Sequence, residues 1–139
     1  MQKPKIINIP PKMEKYYGKG TMLHPTISEI EELISLIPSN KITTINHIAS
    51  YLAKNHGTDV TCPMRTGNAI KKIANRFTSE NLDENLPFWR VVKSDHMMIK
   101  SKNYEQWASL IEDEGFEISF TKSGNIQVKF DADAVFSFL

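Results

Sequence analysis

Cys62 is the one side chain in the sequence that could act as a thiol nucleophile. It precedes Pro63, a residue well suited to the first turn of a helix. The positive end of a helix dipole would favour the thiolate there, the form that attacks electrophiles, and His56 or Arg65 could assist it. The alternative is a partly buried residue at the cap of the helix. A single cysteine excludes an internal disulfide and a cysteine-rich zinc site.

The helix that begins at Pro63 carries residues able to bind a polyanion. At about 100° per residue, one face collects Thr66, Ile70, Ile73, Ala74 and Phe77. The opposite face collects Arg65, Asn68, Lys72, Asn75 and Arg76. Cations neutralise phosphates and amides hydrogen-bond base edges, so this face predicts nucleic-acid binding. An ordinary solvated helix face is the alternative interpretation.

The distribution of charge supports a polyanion-binding segment. The net charge is only +1, yet residues 41–76 contain six lysines and arginines against one acid, Asp59. Hydrophobic residues make up 40% of the chain and charged residues 24%, as in a globular domain. No apolar run approaches the roughly 18 residues of a membrane span, and no signal-peptide pattern opens the chain. The sequence therefore predicts a cytoplasmic protein without membrane association.

Two further patterns do not predict sites. The stretch Gly18-Lys19-Gly20-Thr21 is like part of a phosphate loop, but it lacks the earlier glycine and the preceding strand. The four histidines, His24, His47, His56 and His96, have no metal-ligand spacing. We therefore expect no metal and no cofactor.

Capping signals locate the helices that position these residues. Thr26 and Glu29 form a capping box before an apolar helical pattern. Thr43 or Thr44 caps a second helix, and Gly57 ends it. In chain order, the predicted elements are an extended arm over residues 1–25, helices over 27–37, 44–55 and 63–77, strands over 89–93 and 97–100, a helix over 104–114, strands over 116–120 and 125–130, and a short helix that begins at Asp131.

The order of these elements predicts a mainly α fold with small β: a winged helix-turn-helix, with an N-terminal arm and a C-terminal β-hairpin. Three helices separated by short connections form the helix-turn-helix, and the first hairpin forms the wing. The arm covers residues 1–25 and the winged domain covers residues 26–115. Residues 116–139 add the hairpin and short helix, packed on the same domain.

Four segments resemble, in the same order, the alkylguanine-DNA alkyltransferases. Residues 37–49 are similar to the family pattern Ile-Pro-x-Gly-Lys-Val-Thr-Thr-Tyr-Gly-x-Ile-Ala. Residues 67–70 are similar to Gly-Asn-Ala-Leu of the recognition helix. Residues 87–91 occupy the active-site signature Pro-Cys-His-Arg-Val, and residues 106–115 resemble the closing helix, which ends Glu-Gly.

This resemblance implies a recognition helix that enters the minor groove of duplex DNA and a pocket that holds a flipped, alkylated guanine. It implies DNA contacts from Lys41, Thr44, Met64, Arg65, Asn68, Lys72 and Arg76. It implies a base pocket formed by Ile45, Phe88, Trp89, Arg90 and Glu114.

The chain departs from the family at the reactive residues. Phe88 stands at the cysteine and Trp89 at the histidine, so the two aromatic rings either stack on a flipped base or fill the cavity of the lost pair. Glu114 matches the glutamate that orients the histidine, and here we expect a hydrogen-bonding group or an ion-pair partner of Arg90. Met64 stands at the intercalating arginine, as an apolar wedge.

The resemblance extends to the alkyltransferase-like branch, whose members also lack the cysteine and bind alkylated DNA without repairing it. It implies a non-catalytic protein that recognises alkylated guanine in duplex DNA. Two alternatives remain open. One is a cysteine-dependent alkyl or methyl transferase that uses Cys62. The other is a winged-helix interaction module without DNA binding, whose contact surface includes Phe136, Phe138 and Leu139.

Overall fold

The computed structural model describes residues 3–78, 80–102 and 104–138. Within these ranges the chain is mainly helical with short strands, as its sequence predicts. In chain order the elements are β1 (Lys5–Asn8), α1 (Glu14–Tyr17), β2 (Thr21–His24), α2 (Ile27–Ser35), β3 (Thr43–Thr44), α3 (Ile45–His56), β4 (Val60–Thr61), α4 (Pro63–Ala74), β5 (Val91–Val92), α5 (Tyr104–Asp113), β6 (Glu117–Phe120) and β7 (Ile126–Lys129). Short 3-10 turns cover Pro11–Met13, Phe88–Arg90 and Ala132–Ala134.

Local side-chain signals fix where the helices begin. Thr26 accepts a hydrogen bond from the backbone N–H of Glu29, whose carboxylate accepts one from the N–H of Thr26, so the predicted capping box is confirmed. Of the two candidate threonines, Thr44 caps α3 by accepting from the N–H of His47. Gly57, with φ +68°, ends that helix as predicted.

Two helices are shorter than predicted. α2 ends at Ser35 and α4 at Ala74, whereas the hydrophobic spacing predicted helices that end at residues 37 and 77. Ile37 lies in the core and Phe77 packs against it, but both residues lie beyond the ends of their helices. The apolar pattern therefore extends past the helices because these residues are buried, although they are not helical.

α2, α3 and α4 enclose much of the main hydrophobic core. α4 packs on both of the other helices. Their inward isoleucines are almost completely buried: Ile30, Ile34, Ile48, Ile70 and Ile73. Burial of each such side chain stabilises the fold by about 1.5–3 kcal/mol. This packing holds one face of α4 inward and leaves the other face to solvent.

Residues 3–25 do not form the extended arm that the sequence predicts. β1 pairs antiparallel with β2, and β2 pairs parallel with β4, immediately before α4. Met22 and Leu23 of β2 are buried, so this sheet contributes to the folded body. β1 and β2 have only four residues each and lie close to prolines, so the sequence shows no clear alternation of apolar and polar residues there.

The predicted hairpin over residues 89–100 is only partly present. β5 pairs in parallel with β3, while residues 97–100 form no strand. The chain turns and returns through a single antiparallel bridge between Val92 and Met98. We name residues 93–100 the turn segment. The apolar pattern of this region indicated extended backbone, but it could not identify the pairing partner.

The C-terminal hairpin is confirmed, because β6 and β7 pair antiparallel. Asp131 caps only a 3-10 turn rather than a helix that reaches Phe138. Beyond this turn, Val135 bridges Ile42, just before β3. Leu139 lies outside the described residues, and the division of the chain at residues 25 and 115 stays a prediction. None of the helices in the described ranges combines the length and the apolar character that a membrane-spanning segment needs.

Candidate nucleic-acid interface

α4 presents its polar face to solvent. Thr66, Ile70 and Ile73 point into the core and are buried, as predicted. Met64 begins the outer face and is 70% exposed. The exposed side chains of this face are Met64, Arg65, Asn68, Lys71 and Lys72, and Asn75 and Arg76 continue it just beyond the end of the helix at Ala74.

The C-terminal end of this face is tied to the protein itself. Arg76 forms an ion pair with Glu31 of α2, with 2.8 Å between Nη1 and Oε1. The Oδ1 atom of Asn75 accepts a hydrogen bond from the backbone N–H of Lys102 at 2.7 Å. Both side chains therefore contact neighbouring segments of the chain, and their role toward DNA stays a prediction. The cations of this face that pair with no carboxylate of the described residues are Arg65, Lys71 and Lys72.

A groove of about 440 Å³ separates α4 from the turn segment, and we name it the α4 groove. Its helix side is lined by Met64, Gly67, Asn68 and Lys71. Its opposite side is lined by Lys93, Asp95, Met97, Ile99 and Lys100. Three lysines against one aspartate give the groove a positive charge. Such a surface attracts phosphates, and the amide of Asn68 adds a hydrogen-bonding group for base edges.

The α4 groove brings together three of the predicted site residues, Ile45, Met64 and Asn68. It also contains lysines that were not predicted as site residues. Lys71 lies at the edge of the polar face of α4, beside the residues that the helical projection selected. Lys93 and Lys100 are the last residues of the two predicted strands over 89–93 and 97–100, and that position is the sequence signal that could have identified them.

Lys41 and Thr44 do not line the α4 groove. The ammonium of Lys41 donates to the backbone carbonyl of Asp133 at 2.6 Å. The hydroxyl of Thr44 is buried at the cap of α3, 2.6 Å from Nδ1 of His47. Both side chains make contacts within the protein, and a role for them in holding DNA stays a prediction.

Phe88 and Trp89 fill the interior instead of lining an open pocket. Phe88 is only 4% exposed. It stacks on Phe77 with 5.4 Å between ring centroids, and it meets Trp89 and Trp107 edge to face at 5.3 and 5.2 Å. A cavity of only about 10 Å³ remains beside these rings. This is close to the smallest space that holds one water, so the predicted base pocket is closed here.

Glu114 joins three segments of the chain. Its carboxylate accepts hydrogen bonds from Nε1 of Trp89 at 2.7 Å, from Nε of Arg90 at 2.9 Å and from the backbone N–H of Asn40 at 3.0 Å. The predicted ion pair with Arg90 is confirmed, and it is mostly buried, with side chains 14% and 11% exposed. Arg90 also donates to the carbonyl of Ile37 at 2.7 Å. These bonds make Glu114 a structural clamp between α5, the Phe88–Arg90 turn and the loop before β3.

Asn40 stands where the resembled family pattern has glycine. Its φ of +70° lies in the left-handed region, which asparagine and glycine tolerate better than other residue types. This conformation places the Asn40 N–H toward Glu114. Asparagine at this position therefore suits the backbone conformation that the hydrogen bond to Glu114 requires.

Cys62 is enclosed by the N-terminal sheet. It is 7% exposed and packs with Ile9 and Met22. His56, a predicted assistant, is bound to the carboxylate of Glu29. Arg65, the other, lines a separate cavity beside β1. Among the described residues, no group of three histidine, cysteine or acidic side chains could hold a metal ion.

We expect the thiol of Cys62 to be protected in the folded protein, because the strands that cover it exclude reagents. An aromatic disulfide reagent should modify it at least about 100-fold more slowly than in denaturant, since access requires local or global opening. Absorbance of the released thiolate measures both rates. Equal rates would mean that Cys62 is open to solvent and would revive the transferase alternative.

The solved structures that are similar to this chain include two complexes with DNA. One is S. pombe Atl1 in complex with damaged DNA containing O6-carboxymethylguanine, with a TM-score of 0.57 and 20% sequence identity, covering 80% of this chain and 94% of that one. The other is S. pombe ATL in complex with DNA, with a TM-score of 0.58 and 21% identity over the same shares of each chain. No family model matches the sequence, and no curated protein does. The resemblance drawn from the sequence motifs is thus confirmed for the fold, which this chain shares with an alkyltransferase-like protein.

Proposed function

We propose that this chain is a non-catalytic protein that binds duplex DNA and recognises alkylated guanine. The observation that carries this proposal is the positively charged α4 groove beside an exposed helix face. We interpret α3, α4 and the turn segment as a winged helix-turn-helix, with α4 as the helix that enters the minor groove. The similarity to structures solved with DNA supports this interpretation.

Different residues of the α4 groove and its helix contact the phosphates and the bases of the duplex. Lys71, Lys93 and Lys100 neutralise phosphates, which positions the duplex without reading its sequence. Asn68 hydrogen-bonds base edges from the exposed face of α4. Met64, which is exposed at the beginning of the helix, wedges between base steps.

An extruded base would occupy the α4 groove itself, because the space beside Phe88 is filled. Ile45, Met97 and Ile99 give this groove apolar walls. An alkyl group on guanine adds apolar surface, and its burial against these walls favours the alkylated base over the plain one. Cys62 does not line the groove, so we assign no covalent step to the bound base.

The test removes the three groove lysines together, as Lys71→Gln, Lys93→Gln and Lys100→Gln. We expect the affinity for a short duplex to fall by about 100-fold at low salt, and the slope of log affinity against log salt to become shallower by about 3. Fluorescence anisotropy over a salt series measures both. The matched control removes three exposed lysines outside the groove, Lys12, Lys54 and Lys129, and should change the slope much less.

The same titrations with a duplex containing O6-alkylguanine test the lesion. Wild-type protein is expected to bind this duplex more tightly than the plain one. Because phosphate contacts carry no base information, the triple variant should weaken both affinities by a similar factor. If wild-type protein binds the plain and the alkylated duplex with equal affinity, the proposal of lesion recognition is wrong and the proposal of DNA binding stands. No binding at low salt would remove the whole proposal.

The interaction-module alternative has less support. Phe138 packs on Tyr51 of α3 with 5.6 Å between ring centroids, and Phe136 meets Phe138 edge to face. Both phenylalanines are half-buried against the main core, so they already have partners within the chain.

A further inference from the structure

A second positively charged cavity lies beside α4, away from the α4 groove. It has a volume of about 520 Å³, and β1, β2 and the beginning of α2 form its walls. We name it the β1 cleft. Its lining residues are Lys3, Lys5, Ile7, His24, Pro25, Thr26 and Arg65.

The β1 cleft has cations without balancing acids. No aspartate or glutamate is among its lining residues, and Lys3, Lys5 and Arg65 form no ion pair with any carboxylate of residues 3–78, 80–102 and 104–138. The pKa of His24 is lowered from its ordinary value by partial burial and then by the positive charges of Arg65 and Lys5. Arg65 and Lys5 therefore both lie near His24, and Lys3 lines the same cleft.

The first turn of α4 is the wall between the two cavities. Met64 lines the α4 groove, and Arg65, the next residue, lines the β1 cleft. Consecutive helix residues point about 100° apart, and a helix with its side chains is about 10–12 Å across. Lys71 lies on the same side of the helix as the groove, about 120° from Arg65. The exposed ridge of α4 consequently has cations on both flanks.

A helix that enters a groove of duplex DNA has one sugar-phosphate strand on each side. We infer that the β1 cleft binds the phosphates of one strand, while Lys93 and Lys100 in the α4 groove bind those of the other. This inference rests on the proposed duplex binding and adds the N-terminal sheet to the interface. The ligand of the cleft is the phosphodiester backbone, since its lining offers cations and few groups that could read bases.

The test neutralises the cleft, as Lys3→Gln, Lys5→Gln and Arg65→Gln. We expect the salt slope of duplex binding to become shallower by about 3, because about three phosphate contacts are lost. Hydroxyl-radical footprinting of an end-labelled duplex should show that protection is lost on one strand and kept on the other. The variant of the groove lysines should show the complementary loss.

Controls separate the possible outcomes. The variant with Lys12, Lys54 and Lys129 replaced by glutamine carries the same change in charge and should protect both strands. Circular dichroism checks that each variant is folded. If wild-type protein binds duplex but the cleft variant keeps its salt slope and protects both strands, the inference is overturned and the proposed function stands. If wild-type protein does not bind duplex, the proposed function and the inference fall together.

Discussion

Replacing Glu114 with alanine is expected to lower the free energy of unfolding by about 3 kcal/mol. The carboxylate accepts hydrogen bonds from Trp89, Arg90 and Asn40, and the change leaves all three donors without this partner. The guanidinium of Arg90 would remain mostly buried with its charge uncompensated. Breaking one side of a buried ion pair costs more than the pair itself contributes, because the remaining charge stays desolvated.

Denaturant unfolding followed by circular dichroism measures this loss. Glu112→Ala is the matched control, since it removes an exposed glutamate at the end of α5, two residues before Glu114, and should cost less than about 0.5 kcal/mol. Glu114→Gln should fall between the two, because an amide oxygen can still accept from Trp89. A Glu114→Ala variant as stable as Glu112→Ala would mean that the clamp contributes nothing to the fold.

The clamp illustrates how far the sequence could lead. The order of the motifs placed Glu114 and Arg90 together, and their ion pair was predicted. The bond from Asn40 could not be predicted, since it depends on a left-handed backbone in a loop 74 residues away. The family pattern relates Glu114 to the active-site signature that contains Arg90, so their contact could be predicted, whereas the bond to Asn40 depends on the fold.

The start of α2 and the end of α3 were predictable because their signals are local. The capping box of α2 and the glycine that ends α3 act within one turn of the helix, so the residues involved are neighbours in the sequence. Strand pairing is different. β5 pairs with β3 and β2 pairs with β4, although each of these pairs is separated by a helix or more. Strands of two to four residues have too few positions to show which partner they choose.

The candidate interface follows the same division. The outer face of α4 was predicted from its 3.6-residue period. The contacts that other segments of the chain make with this face were not predicted. Glu31 engages Arg76 from another helix, and the parallel pairing of β5 brings Lys93 and Lys100 across from Lys71. The residues left open to a ligand therefore combine part of the projected face, Arg65, Asn68 and Lys72, with three lysines that the projection did not select, Lys71, Lys93 and Lys100.

Phe88→Ala is expected to cost about 3–5 kcal/mol of stability, the usual penalty for truncating a buried phenylalanine. The ring contacts Phe77, Trp89 and Trp107, and almost no empty space surrounds it, so its removal leaves a cavity that the neighbouring rings cannot close without moving. Thermal or denaturant unfolding measures the cost. Phe120→Ala is the control, because that ring is 68% exposed and its loss should change stability little.

The same variant decides between the two roles considered for Phe88. A core-filling ring that does not line the α4 groove should leave the affinity for alkylguanine-containing duplex within about threefold of wild type, at a temperature where the variant is still folded. A ring that stacks on an extruded base would contribute about 1–3 kcal/mol to that binding, so its loss would weaken the lesion duplex by roughly 5- to 150-fold and the plain duplex much less. A stable Phe88→Ala protein with a selective loss of lesion binding would mean that the aromatic cluster opens on DNA. An unstable protein with intact selectivity would mean that the position of the lost nucleophile now serves the core.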